Sequence, residues 1–368
     1  MISLNRPGKI TKCNEAFTMF DNCNTSFFAT AGDALNFIYQ KLYKDRGQLK
    51  VGVSPLACFH AHYPIVMNGH MPVFLDVNGK SFNLDTEKIE EWPEMDVLEV
   101  IHLAGNPCDM TRIMDWARKK NVIVIEDCAQ ALGSKWNGEY LGTFGDYSVY
   151  SLIKNIYISG AVMLSKCEVD TTGCDKVSKA AMLYKKLRWG MESRCGASKL
   201  NVYNRLLPLL MKLREKNGGF TSSTRTLPEG QIKLIKDTLP SIFKLNKIRI
   251  DNFDTIKCKI RSENYLFQET LSNGETYRNR ILCISKEKKS EELISILRKK
   301  SIAANNLTQN YLHGFQKFIG EDDILREYYS LGSCPVYEKV FPYIFAIPNS
   351  PFLRVKEVEY IIESLKVI

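Results

Sequence analysis

The stretch NVIVIEDCAQALGS, residues 121–134, passes from apolar to charged within one residue. Val122 to Ile125 form an unbroken apolar run of the kind that fills a strand buried on both faces, and it ends in Glu126 and Asp127, followed by small residues and Gln130. An acid at this point has two readings. Asp at a strand-to-helix junction accepts a backbone N–H and caps the helix. Alternatively it faces a ligand, because open α/β sheets bind at the carboxyl ends of their strands. The residues around the stretch decide between them.

Outward from it, strands and helices alternate. LKVGVSPLACF (49–59) and MPVFLDV (71–77) read as short buried strands with helix-like YPIVMNG (63–69) between them. SFNLDTEKIEEW (81–92) begins a helix capped by Asp85, VLEVIHL (97–103) is a strand and DMTRIMDWARKK (109–120) a helix. FFATAGDALNFIYQKLYKD (27–45) runs from two aromatics through a small-residue turn into an amphipathic helix with Leu35, Ile38 and Leu42 at helical spacing. Such alternation predicts crossover units and a largely parallel sheet covered on both faces. Beyond the opening stretch, DYSVYSLIKNIYISGAVMLSK (146–166) reads as two strands around a turn near Lys154, and helical, charged material fills 170–260, broken by the loop NGGFTSSTRTLPEG (217–230). The strands NRILCIS and YIFAIP and the helices SEELISILRKKSI and KEVEYIIESLKVI then build a smaller α+β unit. The expected domains are 1–250 and 251–368.

The chain has 368 residues, 45% hydrophobic and 25% charged, which is ordinary globular material with room for a large core. Its opening residues lack the apolar stretch of a signal peptide and no run approaches the roughly 20 apolar residues that span a bilayer, so a cytoplasmic protein without stable membrane insertion is expected. The 11 cysteines are scattered and never form CxxC pairs; they read as small buried hydrophobes. Formal net charge is +9, concentrated after the midpoint in stretches such as 179–200 and 206–219. No nucleic-acid-binding signature accompanies that charge, and it reads as a solvated face, with a membrane-surface helix as the other reading. His60 and His62 alternate as on one strand face with His70 nearby, but no Cys, Asp or Glu stands at ligand spacing, so no metal site is expected.

Three clusters converge on the rim of such a sheet. Thr30, Ala31 and Gly32 start a helix, where free N–H groups and the helix dipole favour a phosphate. Asp127 and Gln130 supply a carboxylate and an amide, and Lys154 follows the strand carrying Ser151. A phosphate cradle, a carboxylate and a lysine are the three parts that hold pyridoxal 5′-phosphate.

PVFLDVNGKSFNLDTEKIE (72–90), VIHLAGNPCDM (100–110) and VIEDCAQALGSKWNGEYLGTFGDYSVYS (124–151) closely resemble, in order, the landmarks of the DegT/DnrJ/StrS family of pyridoxal-phosphate-dependent sugar aminotransferases. The likeness runs from about residue 27 to about 166 and returns faintly in LRKKSIAANNL (297–307) and CPVYEKVFPYIFAIPNSP (334–351). The resemblance implies a type I fold of that cofactor class, an α/β large domain with a small C-terminal α+β domain, working as a homodimer. It gives Lys154 the covalent hold on the cofactor and the proton shuttle, Asp127 the pyridine nitrogen, Gln130 the ring hydroxyl, and Thr30, Ala31, Gly32 and Ser151 the phosphate. A stacking group comes from SPLACFHAHYP (54–64), where Cys58, Phe59 and His60 compete and Phe59 is preferred. Arg225 in TSSTRTLPEG is the residue expected to reach the neighbouring subunit's site. The implied activity moves an amino group, from glutamate, onto a nucleoside-diphosphate-linked keto sugar for amino-sugar and polysaccharide biosynthesis. Dehydratase relatives carry histidine at the lysine position. A shortened Ser151 to Lys154 spacing and the reduced ISGAVM stretch are departures that leave a lyase or a degenerate binding partner as the alternatives.

Overall fold

The computed structural model describes residues 2, 10, 16–177, 223–260, 263–305 and 325–368, without the side chains of Phe59 and Arg326. The basic stretch 179–216 lies outside the described residues. The strand and helix alternation folds as its pattern demands. Strands β1 (Asn24–Phe28), β2 (Lys50–Val53), β3 (Met71–Phe74), β4 (Val97–Ile101), β5 (Ile123–Asp127), β8 (Tyr147–Ser151) and β9 (Ala161–Ser165) form one sheet in the order β1-β9-β8-β5-β4-β2-β3. From β8 through β3 the neighbours are parallel, while β9 runs antiparallel to both β1 and β8. The parallel strands therefore end on one edge of the sheet.

The sheet carries a core on each face. Leu98, Val100 and Val124 pack on one side with Ile113, Trp116 and Ala117 of helix α3 (Met110–Lys120). Val97, Ile101 and Ile125 point the other way, against Leu35, Ile38 and Leu42 of helix α1 (Ala31–Arg46). Burial of alternate residues on opposite faces is why β4 and β5 read as continuous apolar runs. Helix α2 (Phe59–Met67) follows β2, and Asp85 caps a short 3-10 helix, Thr86–Glu91, by accepting from the Glu87 N–H. The short strands β6 (Lys135–Trp136) and β7 (Glu139–Tyr140) pair after β5.

Residues 170–177, expected to be helical, are instead irregular and bridge to Thr226 through Lys176. Asp170 and Gly173 explain this, since both favour turns over helix interior. The helix Ile242–Lys259 passes through residue 250, placing Leu245 in the large-sheet core and Ile256 in a separate one. That second core is built by β10 (Tyr265–Phe267), β12 (Arg280–Ser285) and β13 (Ile344–Pro348), an antiparallel sheet in the order β10-β12-β13, with the helices Ser290–Lys299 and Val355–Lys366. Between them β11 (Gly274–Glu275) crosses back to pair with β6. Of the described cysteines, Cys108, Cys128, Cys283 and Cys334 are buried as expected, but Cys167 and Cys258 are exposed because they stand on a loop and on the outer face of a helix. Among the described residues no helix is long and apolar enough to cross a membrane.

Candidate active site

Asp127 is the last residue of β5 and lies on the rim of the sheet, buried. Residues 128–134 are turns, so no helix follows for it to cap; its Oδ1 accepts the Ala129 N–H at 2.8 Å and braces the turn. Burial pushes the Asp127 carboxyl above its ordinary range, and Lys154 leads the groups that pull it back, ahead of the Ala129 bond and His102. An anion held in an apolar place awaits a cation.

Lys154 sits in helix α4 (Leu152–Asn155), a single turn inserted between β8 and β9. Among the described residues its amine has neither a hydrogen bond nor an ion pair. The turn itself is clamped. Asn155 is buried and donates through Nδ2 to Ala129 O at 2.9 Å and to Ser151 O at 2.7 Å, tying the lysine turn to the turn after Asp127. Arg249 Nη2 in turn donates to Asn155 O at 2.6 Å. Neither Asn155 nor Arg249 stood out in the sequence, because a buried positioning residue has no spacing signature.

The phosphate end is equally well defined. Thr30 caps α1, its Oγ1 accepting the Asp33 N–H at 3.0 Å, and Ala31 and Gly32 form the first turn. Asp33 is buried and its Oδ1 accepts from Ser223 Oγ, Arg225 N and Arg225 Nε at 3.0, 3.2 and 3.0 Å. Arg225, expected to reach a neighbouring subunit, is therefore turned to the α1 N-terminus of its own chain; a buried carboxylate needs a cation and this one is beside it. Ser151 is buried at the end of β8 and makes no side-chain cap to α4. Gln130 Oε1 is buried without a hydrogen-bond partner among the described residues, an acceptor aimed at something else.

The two acids of the opening stretch face opposite ways. Glu126 Oε1 accepts from Phe144 N at 2.8 Å and Gly145 N at 2.7 Å, while Oε2 accepts from Gly142 N at 2.8 Å and meets His102 Nε2 at 3.2 Å. His102 Nδ1 accepts the Cys108 N–H, so Nε2 carries the proton and donates to Glu126. Glu126, His102 and Cys128 bring their donor atoms within 4.8 Å of one another. Those of Glu126 and His102 are already spent on hydrogen bonds, and burial pushes the Cys128 thiol well up; Glu126, braced by His102, holds the 142–145 turn.

His60 and His62, expected on a strand, lie in α2, where helical spacing turns His60 outward and buries His62. His62 Nε2 bonds to Ser54 O at 2.7 Å, and burial lowers its pKa to about 4. His70 bonds to Tyr39 O and to the Leu49 N–H. A Cβ placed on Gly32 would lie 3.8 Å from His60 Nδ1, so the start of α2 borders the phosphate end. Phe59 is the first residue of α2, with its side chain outside the described residues.

The mostly parallel sheet with its small antiparallel C-terminal sheet has the type I fold that the motifs imply. Comparison with known proteins agrees. Residues 27–162 match the model of the DegT/DnrJ/EryC1/StrS aminotransferase family, the same family that the motifs resemble. Over 93 residues the chain is 40% identical to GDP-perosamine synthase of Escherichia coli O157:H7, covering 25% of this chain and 26% of that one. It is 42% identical over 89 residues to dTDP-3-amino-3,6-dideoxy-alpha-D-galactopyranose transaminase of Aneurinibacillus thermoaerophilus, covering 24% of each. The matched stretches thus span about a quarter of these curated relatives. A Streptococcus pneumoniae chain solved in its PLP form superposes with a TM-score of 0.67 at 18% identity, over 93% of this chain and 86% of that chain.

Proposed function

We propose that this protein is a pyridoxal-phosphate-dependent aminotransferase, a cytoplasmic homodimer that moves an amino group from glutamate onto a nucleoside-diphosphate-linked keto-deoxy sugar, yielding 2-oxoglutarate and an amino sugar for surface polysaccharide. The observation that carries the reading is the buried carboxylate of Asp127 at the end of β5 together with Lys154 just past the end of the adjacent β8, its amine without a hydrogen bond or ion pair among the described residues. The relatives' names, with their sugar nucleotides and transaminase activity, support the substrate class.

The residues fit the cofactor. Gln130 offers an unsatisfied buried acceptor, Asp127 a carboxylate whose burial favours a protonated ring nitrogen beside it, and α1 a capped N-terminus flanked by Arg225. When bound, pyridoxal phosphate supplies an electron sink for the carbanion left as a carbon–hydrogen bond breaks. Lys154 would hold the group covalently, and its free amine could move the proton. Thr30, Ala31, Gly32, Ser151 and Arg225 would take the phosphate. Lysine rather than histidine at 154 favours amino transfer over the lyase alternative.

The test is spectroscopic. The purified protein should show a visible band that moves on adding glutamate, and borohydride should fix the cofactor to Lys154. Lys154→Ala should lose both while staying folded. Absence of the band, or an adduct on another lysine, would assign the chain to the degenerate binding partners.

A further inference from the structure

Strand β4 carries an acid where its pattern calls for an apolar residue. Glu99 stands in the middle of the run VLEVI and is wholly buried. Strand alternation puts it on the face of Val97 and Ile101, in the core beneath α1. From that helix the equally buried Tyr39 hydroxyl donates to Glu99 Oε2. Among the described residues Oε1 has no hydrogen-bond partner and neither oxygen has an ion pair. A carboxylate shut away with one hydroxyl and no cation is costly, whereas the protonated acid is neutral and leaves only an unmet polar atom.

Register places this acid behind the candidate active site. In the parallel pairing of β4 with β5, Glu99 lies opposite Ile125 and Ile101 opposite Asp127, so the two acids share a face, two residues apart along adjacent strands. Their charges reach each other. Burial pushes the Glu99 carboxyl well above its ordinary range, the Asp127 charge pushes it further, and the Tyr39 bond offsets part of this. Burial first, and then Glu99 and Asp127, raise the Tyr39 hydroxyl as well. The rest of the surroundings is apolar or already neutralised among the described residues: β2 presents Val51 and Val53, α2 Ala61 and Ile65, and the buried Asp33 of α1 is paired with Arg225. His70 stands against the Tyr39 ring, 5.5 Å between centroids, but its Nδ1 accepts the Leu49 N–H and its Nε2 donates to Tyr39 O, so it is neutral. Asp127 has the support an anion needs, from Lys154, the Ala129 N–H and His102, whereas Glu99 has one hydroxyl. Coupled carboxyls divide a proton unequally, and here it falls to Glu99.

We propose that Glu99 is a positioning residue of this site: clamped by Tyr39, it keeps a proton behind Asp127, so that Asp127 stands as a single anion, and loss of that proton puts a second negative charge behind the cofactor ring. The role rests on the reading of Asp127 as the partner of the ring nitrogen; the proton on Glu99 and its coupling to Asp127 do not. One anion matches one protonated ring nitrogen. An apolar residue at 99 would have no second charge state, whereas the acid makes the charge behind the ring depend on pH.

Infrared difference spectroscopy of the full-length protein, cofactor-free and cofactor-loaded, reads the proton through the carbonyl stretch of a protonated acid. Wild type minus Glu99→Gln at neutral pH should show such a band. Its frequency reports the local field, so Asp127→Asn should move it, and Tyr39→Phe, which removes the donor to the carbonyl, should raise it. In Asp127→Asn the band should also disappear about one pH unit lower than in wild type, the scale on which a nearby like charge acts. In the loaded protein the visible band should change at the pH where the Glu99 band disappears, and Glu99→Gln should remove that step; an acid with a merely structural role would produce no such step. If Glu99→Gln fails to fold, the shifts of the wild-type band in Tyr39→Phe and Asp127→Asn identify it. No acid band in wild type, a band unmoved by Asp127→Asn, a Glu99 that keeps its proton up to alkaline unfolding, or a visible band indifferent to its loss overturns the proposal. A wild type without any visible band discredits the cofactor reading, while the infrared measurements still decide the proton and its coupling to Asp127.

Discussion

Glu126 and Asp127 are adjacent acids with opposite duties, and replacing each by its amide should separate them. Glu126 receives four donors: the N–H groups of Gly142, Phe144 and Gly145, and His102 Nε2. Glutamine has one oxygen and one NH2 in their place. With the oxygen toward Phe144 and Gly145, the NH2 confronts the Gly142 N–H and the His102 proton; flipped, it confronts the other pair. His102 cannot yield by changing tautomer, because its Nδ1 is the acceptor for Cys108 N–H. Either way two buried donors lose their acceptor, at about 1–3 kcal/mol each. Glu126→Gln should therefore lower stability by about 3–5 kcal/mol, a figure in line with breaking a buried charged network. Asp127→Asn keeps an oxygen for the Ala129 N–H and removes a charge that burial disfavours, so in the cofactor-free protein it should change stability by no more than about 0.5 kcal/mol. Urea unfolding of the cofactor-free protein, compared at constant m-value, reads both. If Glu126→Gln stays within about 1 kcal/mol of wild type, or Asp127→Asn loses as much as Glu126→Gln, the division of labour is wrong.

Further outcomes follow from the same geometry. Asp127→Asn, although stable, should nearly abolish the glutamate-driven spectral shift, since a neutral amide does not favour a protonated ring nitrogen; activity near wild type would return Asp127 to bracing its turn. Burial lowers His62 to about 4 from an ordinary value near 6.5, so between these pH values the unfolded chain binds the extra proton and stability falls as pH falls. The slope from this group is at most about 1.4 kcal/mol per pH unit, and His62→Gln should flatten the stability profile in that window alone. Because Arg225 serves its own chain's Asp33, mixed dimers of Lys154→Ala and Arg225→Ala subunits should stay inactive; recovered activity would put the arginine in the partner's site.

Local pattern carried far in this chain. The apolar runs of β4 and β5, the spacing of Leu35, Ile38 and Leu42, and the acid at 85 that caps the next helix were legible because period and capping chemistry are short-range. The order of Thr30, Asp127, Ser151 and Lys154 along those elements likewise pointed to a rim site, since parallel strands must all end on one edge. Other features depend on groups far apart in the chain. Whether Asp127 capped a helix depended on the turns packed beneath it, and the side on which Glu126 fell depended on a loop 16 to 19 residues later. The direction of Arg225 was set by a buried aspartate 192 residues away. Asn155 and Arg249 carry no motif, because what distinguishes them is which partners the packed chain provides. Sequence determines what each segment prefers to be; only tertiary packing decides which polar groups leave water together, and that is where the site is made.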